Sequence, residues 1–179
     1  MCKRLIIIIS NRLRNDARKK WKRVLPINEY FSDRWDKAKY LGFGEGSSIY
    51  DNSYVFGDVK IGQNTWVGPF TVLDGTNSIS IGSNCDISAG VQIYTHNSLK
   101  EKNFLSNDFH QQITTKKYDK SVSIGNNVYI GPNSVISQGV KIGDNVIVGA
   151  NSFVNKNLPS NCKAYGTPCK IFMFNKKPD

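Results

Sequence analysis

The chain has 179 residues, of which 39% are hydrophobic, and its 24 Lys and Arg against 14 Asp and Glu give a formal net charge of +10. This length suits one domain with a full core. The aliphatic run Leu5–Ile9 is much shorter than a membrane span, which needs ~20 apolar residues, and it is also shorter than the apolar region of a secretory signal. The four cysteines lack both metal-type pair spacing and the density of a disulfide scaffold, so we expect reduced thiols and a cytoplasmic protein.

Most of the net charge lies in the first 23 residues, which hold nine Lys and Arg against the single Asp16 and therefore carry +8. The rest of the chain carries only +2. A basic stretch without aromatic platforms or a groove-reading motif does not indicate nucleic-acid binding. We therefore expect no nucleic-acid partner.

Within this basic stretch, apolar residues recur at spacings of three and four, which predicts an amphipathic helix over residues 4–24. They are Ile6, Ile9, Leu13, Ala17, Trp21 and Val24. The helix has two interpretations: a cap on exposed strand edges of the fold that follows, or a contact with a membrane surface, which basic residues with an interfacial Trp also suit. We assign residues 1–41 to this basic helical capping segment, including four later aromatic residues, Tyr30, Phe31, Trp35 and Tyr40.

From residue 49 onward an aliphatic residue recurs every six positions, often followed by Gly and then by Asn, Asp or Ser. A helix would need spacings of three and four and a half-buried strand would need strict alternation, so neither predicts this hexad. Fourteen repeats form three blocks, and they begin at Ile49, Val55, Ile61, Val67 and Leu73, then at Ile81, Ile87 and Ile93, and then at Ile124, Ile130, Ile136, Ile142, Val148 and Val154.

Six residues suit a short strand and a tight turn, in which the aliphatic residue points inward and Gly or Asn supplies the corner. Three such strands make a triangular coil, and successive coils stack about 4.8 Å apart. The sequence thus predicts an all-β solenoid, a parallel β-helix, over residues 42–172, followed by a tail at 173–179.

Two interruptions of the repeat are informative because a solenoid expels extra residues only at its corners. The spacing is eight between Leu73 and Ile81, and thirty-one between Ile93 and Ile124. The second interruption predicts a long extruded loop, residues 99–122. Long loops without secondary structure in compact domains are more often functional than idle.

His96 lies in Tyr94-Thr-His-Asn-Ser98, where the repeat stops and the loop leaves; the other histidine, His110, lies inside the loop and is assigned no direct role. An imidazole with a pKa near ~6.5 is suited to take a proton from a hydroxyl or an amine. We therefore predict a catalytic His96, the alternative being a polar corner residue. Stacking of three-strand coils places Asp74, with Asn77 nearby, one coil away from His96. We predict that Asp74 orients the imidazole or binds the acceptor; the alternative is that Asp74 caps its own turn.

The repeat resembles that of the left-handed hexapeptide-repeat acyltransferases, and the part from Ile124 to Val154 together with Gly166-Thr-Pro-Cys-Lys-Ile171 resembles the maltose and galactoside acetyltransferase branch. The likeness covers about residues 49–172, and that branch also carries a His before its loop. The resemblance implies a left-handed β-helix, a homotrimer, acetyl-CoA as acyl donor in a groove between neighbouring β-helices, a histidine general base and no metal.

Position by position, the resemblance implies that backbone amides around three corner residues line the pantetheine and thioester, namely Gly131, Gly149 and Ala150. It implies that Lys156 and Lys170 lie near the cofactor phosphates. Turn glycines and solvated lysines are the alternatives. Tyr129 stands where relatives have Trp, and Pro132 replaces a small residue, which leaves the acceptor open. Residues assigned to the acceptor are Tyr94, Asn77 and Tyr129.

We therefore expect an acetyl-CoA-dependent enzyme that O-acetylates a sugar of a surface polysaccharide or its precursor, by direct transfer, since no Ser or Cys has an evident base beside it. N-acetylation of a nucleotide-linked amino sugar is the alternative within enzymes, with serine or antibiotic acetylation more distant. A γ-type carbonic anhydrase shares the β-helix but needs three zinc-binding histidines, and the chain has two. A scaffold without catalysis is the alternative from another class.

Overall fold

The computed structural model describes residues 2–96 and 120–174. The predicted loop 99–122 lies outside this range except for its last three positions, and so do His110 and residues 175–179 of the predicted tail. Within the described range the chain folds as a parallel β-solenoid of about five turns preceded by helices, which confirms the predicted fold class.

The helical elements come first. They are α1 (Cys2–Trp21), a 3-10 turn (Ile27–Tyr30) and α2 (Arg34–Tyr40). The strands are β1 (Ser48–Ile49), β2 (Tyr54–Ile61), β3 (Trp66–Val67), β4 (Val72–Ile81), β5 (Asp86–Ile87), β6 (Gln92–Tyr94), β7 (Val122–Ile124), β8 (Tyr129–Ile130), β9 (Val135–Ile136), β10 (Lys141–Ile142), β11 (Ile147–Val148), β12 (Phe153–Val154), β13 (Cys162–Tyr165) and β14 (Lys170–Met173).

The strands stack in parallel on three faces of the solenoid. The first face is β1-β3-β5-β8-β11-β13, with β14 added antiparallel at its end. The second face contains the starts of β2 and β4 with β6, β9 and β12, and the third contains the ends of β2 and β4 with β7 and β10. Ser48 pairs with Trp66 and Tyr129 with Ile147, an offset of eighteen residues, so one coil takes three hexads.

The core is the column of aliphatic residues that the hexad predicted. Of the fourteen predicted inward positions, thirteen are buried, and Val55 is partly buried against the same cluster. Each coil alone exposes its apolar edge, so stacking buries a continuous core that no single repeat could form. The hexad prediction of inward residues is confirmed.

Asparagines build many of the corners because they tolerate left-handed backbone better than other residues with a side chain. Seven described corner asparagines have φ between 52° and 61°: Asn64, Asn84, Asn127, Asn133, Asn145, Asn151 and Asn161. Three of them stack, since Asn127 Nδ2 donates to Asn145 Oδ1 at 3.2 Å and Asn145 Nδ2 donates to Asn161 Oδ1 at 3.1 Å.

The eight-residue spacing between Leu73 and Ile81 is absorbed in β4. Gly57 of β2 pairs with Gly75, but Val59 pairs with Ile79, so β4 holds two more residues than β2 at this point. The extra residues lie between Gly75 and Ile79, where Ser78 has a φ of 75°. This bulge carries Asn77 towards the next coil.

The first coil is covered by α2, which contacts β1 and buries Ala38. Lys37 Nζ donates to the carbonyl oxygens of Tyr50, Asp51 and Ser53 at 3.0, 2.8 and 3.0 Å. Burial lowers the pKa of Lys37, while the nearby Asp51 carboxylate opposes that shift. Helix α1 contacts the 3-10 turn. No helix in the described residues is long and apolar enough to cross a membrane.

Candidate active site

A cavity of about 400 Å³ lies on the second face where β6 ends. Its volume falls in the range of about 300–1,000 Å³ that small-molecule sites occupy. Five polar and two apolar side chains line it: Asp74, Tyr94, His96, Ser137, Gln138, Val135 and Phe153. They come from four successive coils, because β4, β6, β9 and β12 are neighbours on this face.

The structure brings together three of the residues predicted from sequence. Asp74 pairs with Tyr94 between β4 and β6, and both line the cavity with His96. Asp74 Oδ1 accepts hydrogen bonds from Thr76 N at 3.1 Å and from Thr76 Oγ1 at 2.5 Å. The carboxylate therefore caps its own turn through one oxygen, and among the described residues no hydrogen bond reaches Oδ2.

Thr95 holds the chain at His96 and is fully buried. Its Oγ1 donates to Asp74 O at 2.7 Å and accepts from Asn77 N at 2.8 Å, while its carbonyl oxygen accepts from Asn77 Nδ2 at 2.8 Å. Asn77 is not among the cavity-lining residues. Its side chain instead ties the β4 bulge to the residue before His96.

Gln138 was missed by sequence reasoning, because Ile136-Ser-Gln reads as an ordinary turn of the repeat. Its Oε1 is buried and has no hydrogen-bond partner among the described residues, and the side chain lines the cavity. A buried acceptor without a partner is uncommon in folded proteins. It can accept a hydrogen bond from whatever enters the cavity.

An aromatic pair extends the second face beyond the cavity. Tyr54 and Phe56 are exposed on β2, with ring centroids 6.2 Å apart and planes within 4° of parallel. Phe56 pairs with Asp74, so the outward row runs from Phe56 through Asp74 to Tyr94. The alternation of Tyr54, Val55 and Phe56 was the available sequence signal for this pair.

Comparison with known proteins identifies the repeat. Residues 121–156 match the family model of the bacterial transferase hexapeptide (six repeats), and residues 58–95 match that of the hexapeptide repeat of succinyl-transferase. Both matched stretches lie in the solenoid, so the coils are built from hexapeptide repeats of this kind.

Three proteins are similar to this chain. Galactoside O-acetyltransferase of Escherichia coli K12 is 35% identical over an alignment of 124 residues. The match covers 62% of this chain and 61% of the relative, so the chain matches less than two thirds of that protein. A hexapeptide-repeat-containing acetyltransferase of Vibrio cholerae, solved with acetyl coenzyme A, is 26% identical with a TM-score of 0.63 over 97% of this chain and 89% of that one.

The third, AntD, is an N-acyltransferase from Bacillus cereus solved with dTDP and coenzyme A. It is 20% identical, with a TM-score of 0.62 over 79% of this chain and 89% of that one. At this identity the likeness concerns the fold alone.

The corner after the first face holds Gly131, Gly149 and Ala150. The resemblance to hexapeptide-repeat acyltransferases predicts that these three residues line the cofactor. Gly131 N donates to Val148 O and Gly149 N to Ala164 O, both at 2.8 Å, so these two amides are used within the solenoid. A Cβ on Gly131 would lie 2.5 Å from Ala150 N, so close stacking alone explains this glycine. Ala150 is exposed, and the described backbone bonds leave its amide unused.

The remaining predicted residues do not line the His96 cavity within one protomer. Lys156 follows β12 and Lys170 begins β14, and both are exposed. Lys170 pairs with Tyr165, whose ring stacks on Phe172 at 4.7 Å. Tyr129 lies on the first face and is 39% exposed, so within one protomer it does not meet the second-face cavity.

Two cysteines of this hexapeptide-repeat solenoid are unsuited to act as nucleophiles. Cys85 and Cys162 are free and buried. Burial raises the pKa of both thiols, which opposes formation of the reactive thiolate. Neither residue lines the His96 cavity.

Proposed function

We propose that this protein is an acetyl-CoA-dependent acyltransferase that acetylates a hydroxyl group of a sugar. The observation that carries the proposal is the cavity in which His96, Asp74 and Tyr94 meet on the second face. Sequence likeness to a galactoside O-acetyltransferase and to an acetyltransferase solved with acetyl coenzyme A supports the choice of donor and acceptor.

In the proposed reaction, His96 removes the proton of the acceptor hydroxyl while its oxygen attacks the thioester carbon. The carbon–sulfur bond then breaks, and the coenzyme A thiolate leaves and recovers the proton from the imidazolium. A positioned base of this kind contributes about 100- to 10,000-fold to the rate. Asp74 Oδ2 is the group that would hold the imidazole tautomer. No cysteine is among the described residues that line the cavity, which favours direct transfer over a cysteine acyl-enzyme.

The proposed donor site needs a second protomer. His96 lies at the end of the second face, whereas Ala150, whose amide could bind the oxyanion, lies at the corner after the first face. One protomer thus presents these groups on different corners. A closed three-fold assembly would bring the Ala150 corner of one copy to the His96 corner of the next, with Lys156 and Lys170 available for phosphates.

The exposed Tyr54 and Phe56 rings support a ring-shaped acceptor. Aromatic faces bind the apolar side of a sugar ring, and the outward row leads from Phe56 to Asp74. We place such an acceptor in the biosynthesis of a surface polysaccharide. We also place the reaction in the cytoplasm, since Cys85, Cys162 and Cys169 are free thiols of the kind that a reducing compartment maintains.

The test is release of coenzyme A from acetyl-CoA, measured with neutral sugars, oligosaccharide repeats, nucleotide-linked amino sugars and serine as acceptors. The proposal expects turnover with a hydroxyl acceptor that lacks an amine. Turnover with amino sugars alone would replace it by the N-acetylation alternative, and absence of acetyl-CoA binding would favour a scaffold.

A further inference from the structure

The first turns of α1 carry an unusual set of exposed aliphatic side chains. Leu5, Ile6, Ile7, Ile8 and Ile9 are each between 42% and 64% exposed. Five consecutive helical residues point in all directions around the axis, so no single packed face covers them. Further along the helix, Ser10 and Ala17 are buried, and α1 contacts the 3-10 turn.

A cationic segment follows on the rest of α1 and on the two residues after its end. Its side chains are exposed, and beyond Arg4 they are Arg12, Arg14, Arg18, Lys19, Lys20, Lys22 and Arg23. Asp16 is the one acidic residue of this stretch, and Trp21 is the last residue of α1. The apolar and cationic groups are thus separated along the axis of the helix.

We propose that α1 docks the protein on an anionic lipid surface, with Leu5–Ile9 inserted and the cations of Arg12 to Arg23 among the headgroups. A helix that lies in the surface buries its apolar part about 5–10 Å deep, which is close to its diameter of about 10–12 Å, so side chains on most sides of the first turns can be immersed. Cations next to that inserted part interact with the negative surface potential of anionic lipids.

The charge and the aliphatic residues of this segment disfavour two other binding partners, a second copy of the chain and nucleic acid. A second copy of residues 1–23 would bring another +8 against the first, so helix pairing between copies would be repulsive. Nucleic acid would attract the cations but would leave the five aliphatic side chains in water. A lipid surface satisfies both parts of the helix.

The experiment is co-sedimentation of the full chain with vesicles of phosphatidylcholine, alone or with about a third phosphatidylglycerol, at low and high salt. The aliphatic variant is Ile7→Ser with Ile8→Ser, and its control is Val24→Ser with Ile27→Ser, two exposed aliphatic residues outside α1. The charge variant is Arg12→Glu with Arg14→Glu, and its control is Lys39→Glu with Lys60→Glu, two exposed lysines outside α1.

We expect binding to anionic vesicles to fall at least about tenfold in both α1 variants and in high salt, and to stay within about twofold in both controls. In the unmodified chain, hydrogen exchange in α1 should slow when anionic vesicles are added, while exchange in the solenoid strands stays the same. Because hydrogen exchange is measured on the unmodified chain, it tests the proposal even if a variant folds poorly.

Three results would overturn the proposal. One is equal binding of the unmodified chain to neutral and anionic vesicles, or none to either. Another is a change of oligomeric state in the Ile7 and Ile8 variant without lipid, which would mark α1 as a contact between copies. The third is binding to duplex DNA that is as tight as vesicle binding and that the Ile7 and Ile8 variant leaves unchanged.

Discussion

The position of His96 depends on the buried hydroxyl of Thr95. That oxygen bonds to the Asp74 carbonyl and to the Asn77 amide, both in the preceding coil. The β-branched side chain has few rotamers, so the bonds hold the backbone rather than a mobile side chain. If His96 is the proposed base, the Thr95 hydroxyl would act on the reaction through the histidine that follows it.

Replacing Thr95 by Val keeps the shape and removes both hydrogen bonds. We expect the free energy of unfolding to fall by about 1–3 kcal/mol, because Asn77 N loses its partner, whereas Asp74 O still accepts from Thr95 N. Turnover should fall at least about tenfold with acetyl-CoA affinity unchanged, since a small displacement of a catalytic group is costly. Denaturant unfolding and steady-state kinetics measure the two effects.

Thr65 supplies the matched control for that substitution. Its Oγ1 donates to Gly82 O at 2.9 Å and accepts from Cys85 N at 3.1 Å, in a buried corner outside the cavity lining. Thr65→Val should cost similar stability and leave turnover intact. Equal loss of turnover in both variants would mean that Thr95 contributes to stability alone.

Lys170 tests the proposed phosphate contact. Lys170→Ala should weaken coenzyme A binding about fivefold, since an exposed charge contact is worth on the order of 1 kcal/mol, and should leave a dephospho analogue unaffected. Calorimetric titration of both ligands measures this, with the exposed Lys141→Ala as control. Equal weakening of both ligands would remove the assignment of Lys170 to phosphate.

In each strand and corner, the position in the hexad determines which residue points into the core and which residue forms the corner. Asn145 illustrates the corner, with a φ of 56° and side-chain bonds to Asn127 and Asn161 in the coils on either side. Its backbone conformation and its side-chain stacking are separate contributions to stability.

Two substitutions at Asn145 separate those contributions. Asn145→Gly keeps the left-handed backbone and removes the two side-chain bonds, whereas Asn145→Ala also brings a residue that disfavours this conformation by about 1–2 kcal/mol. We expect the Ala variant to unfold at lower denaturant concentration than the Gly variant. A Gly variant that is as unstable as the Ala variant would show that stacking of the amides dominates.

The inward column and the corners were predictable from the sequence because each hexad repeats the same inward slot and the same turn. The placement of Asp74 beside His96 was also predictable, since one coil takes three hexads. The bulge of β4 was not, because the longer spacing after Leu73 does not say which residues leave the ladder. The role of Gln138 in the cavity was not predictable either, because the packing of neighbouring coils decides whether its side-chain oxygen has a hydrogen-bond partner.

For the whole molecule, the proposed donor site requires more than one copy, because Ala150 and His96 lie at different corners of the solenoid. We expect analytical ultracentrifugation to give a species of three chains. Dilution below its dissociation range should abolish acetyl-CoA binding, since the groove is incomplete in one copy. A stable monomer that binds coenzyme A would contradict the shared site.

We propose His96 as the base for acetyl transfer to a hydroxyl. The most direct measurement is the turnover of His96→Ala at saturating acceptor and mildly alkaline pH. Because His96 is exposed at a corner, its loss should leave the fold and acetyl-CoA affinity nearly unchanged. We expect turnover to fall about 100- to 10,000-fold. Turnover within about threefold of the unmodified enzyme would contradict both the base and the hydroxyl acceptor, since an amine needs less help from a base.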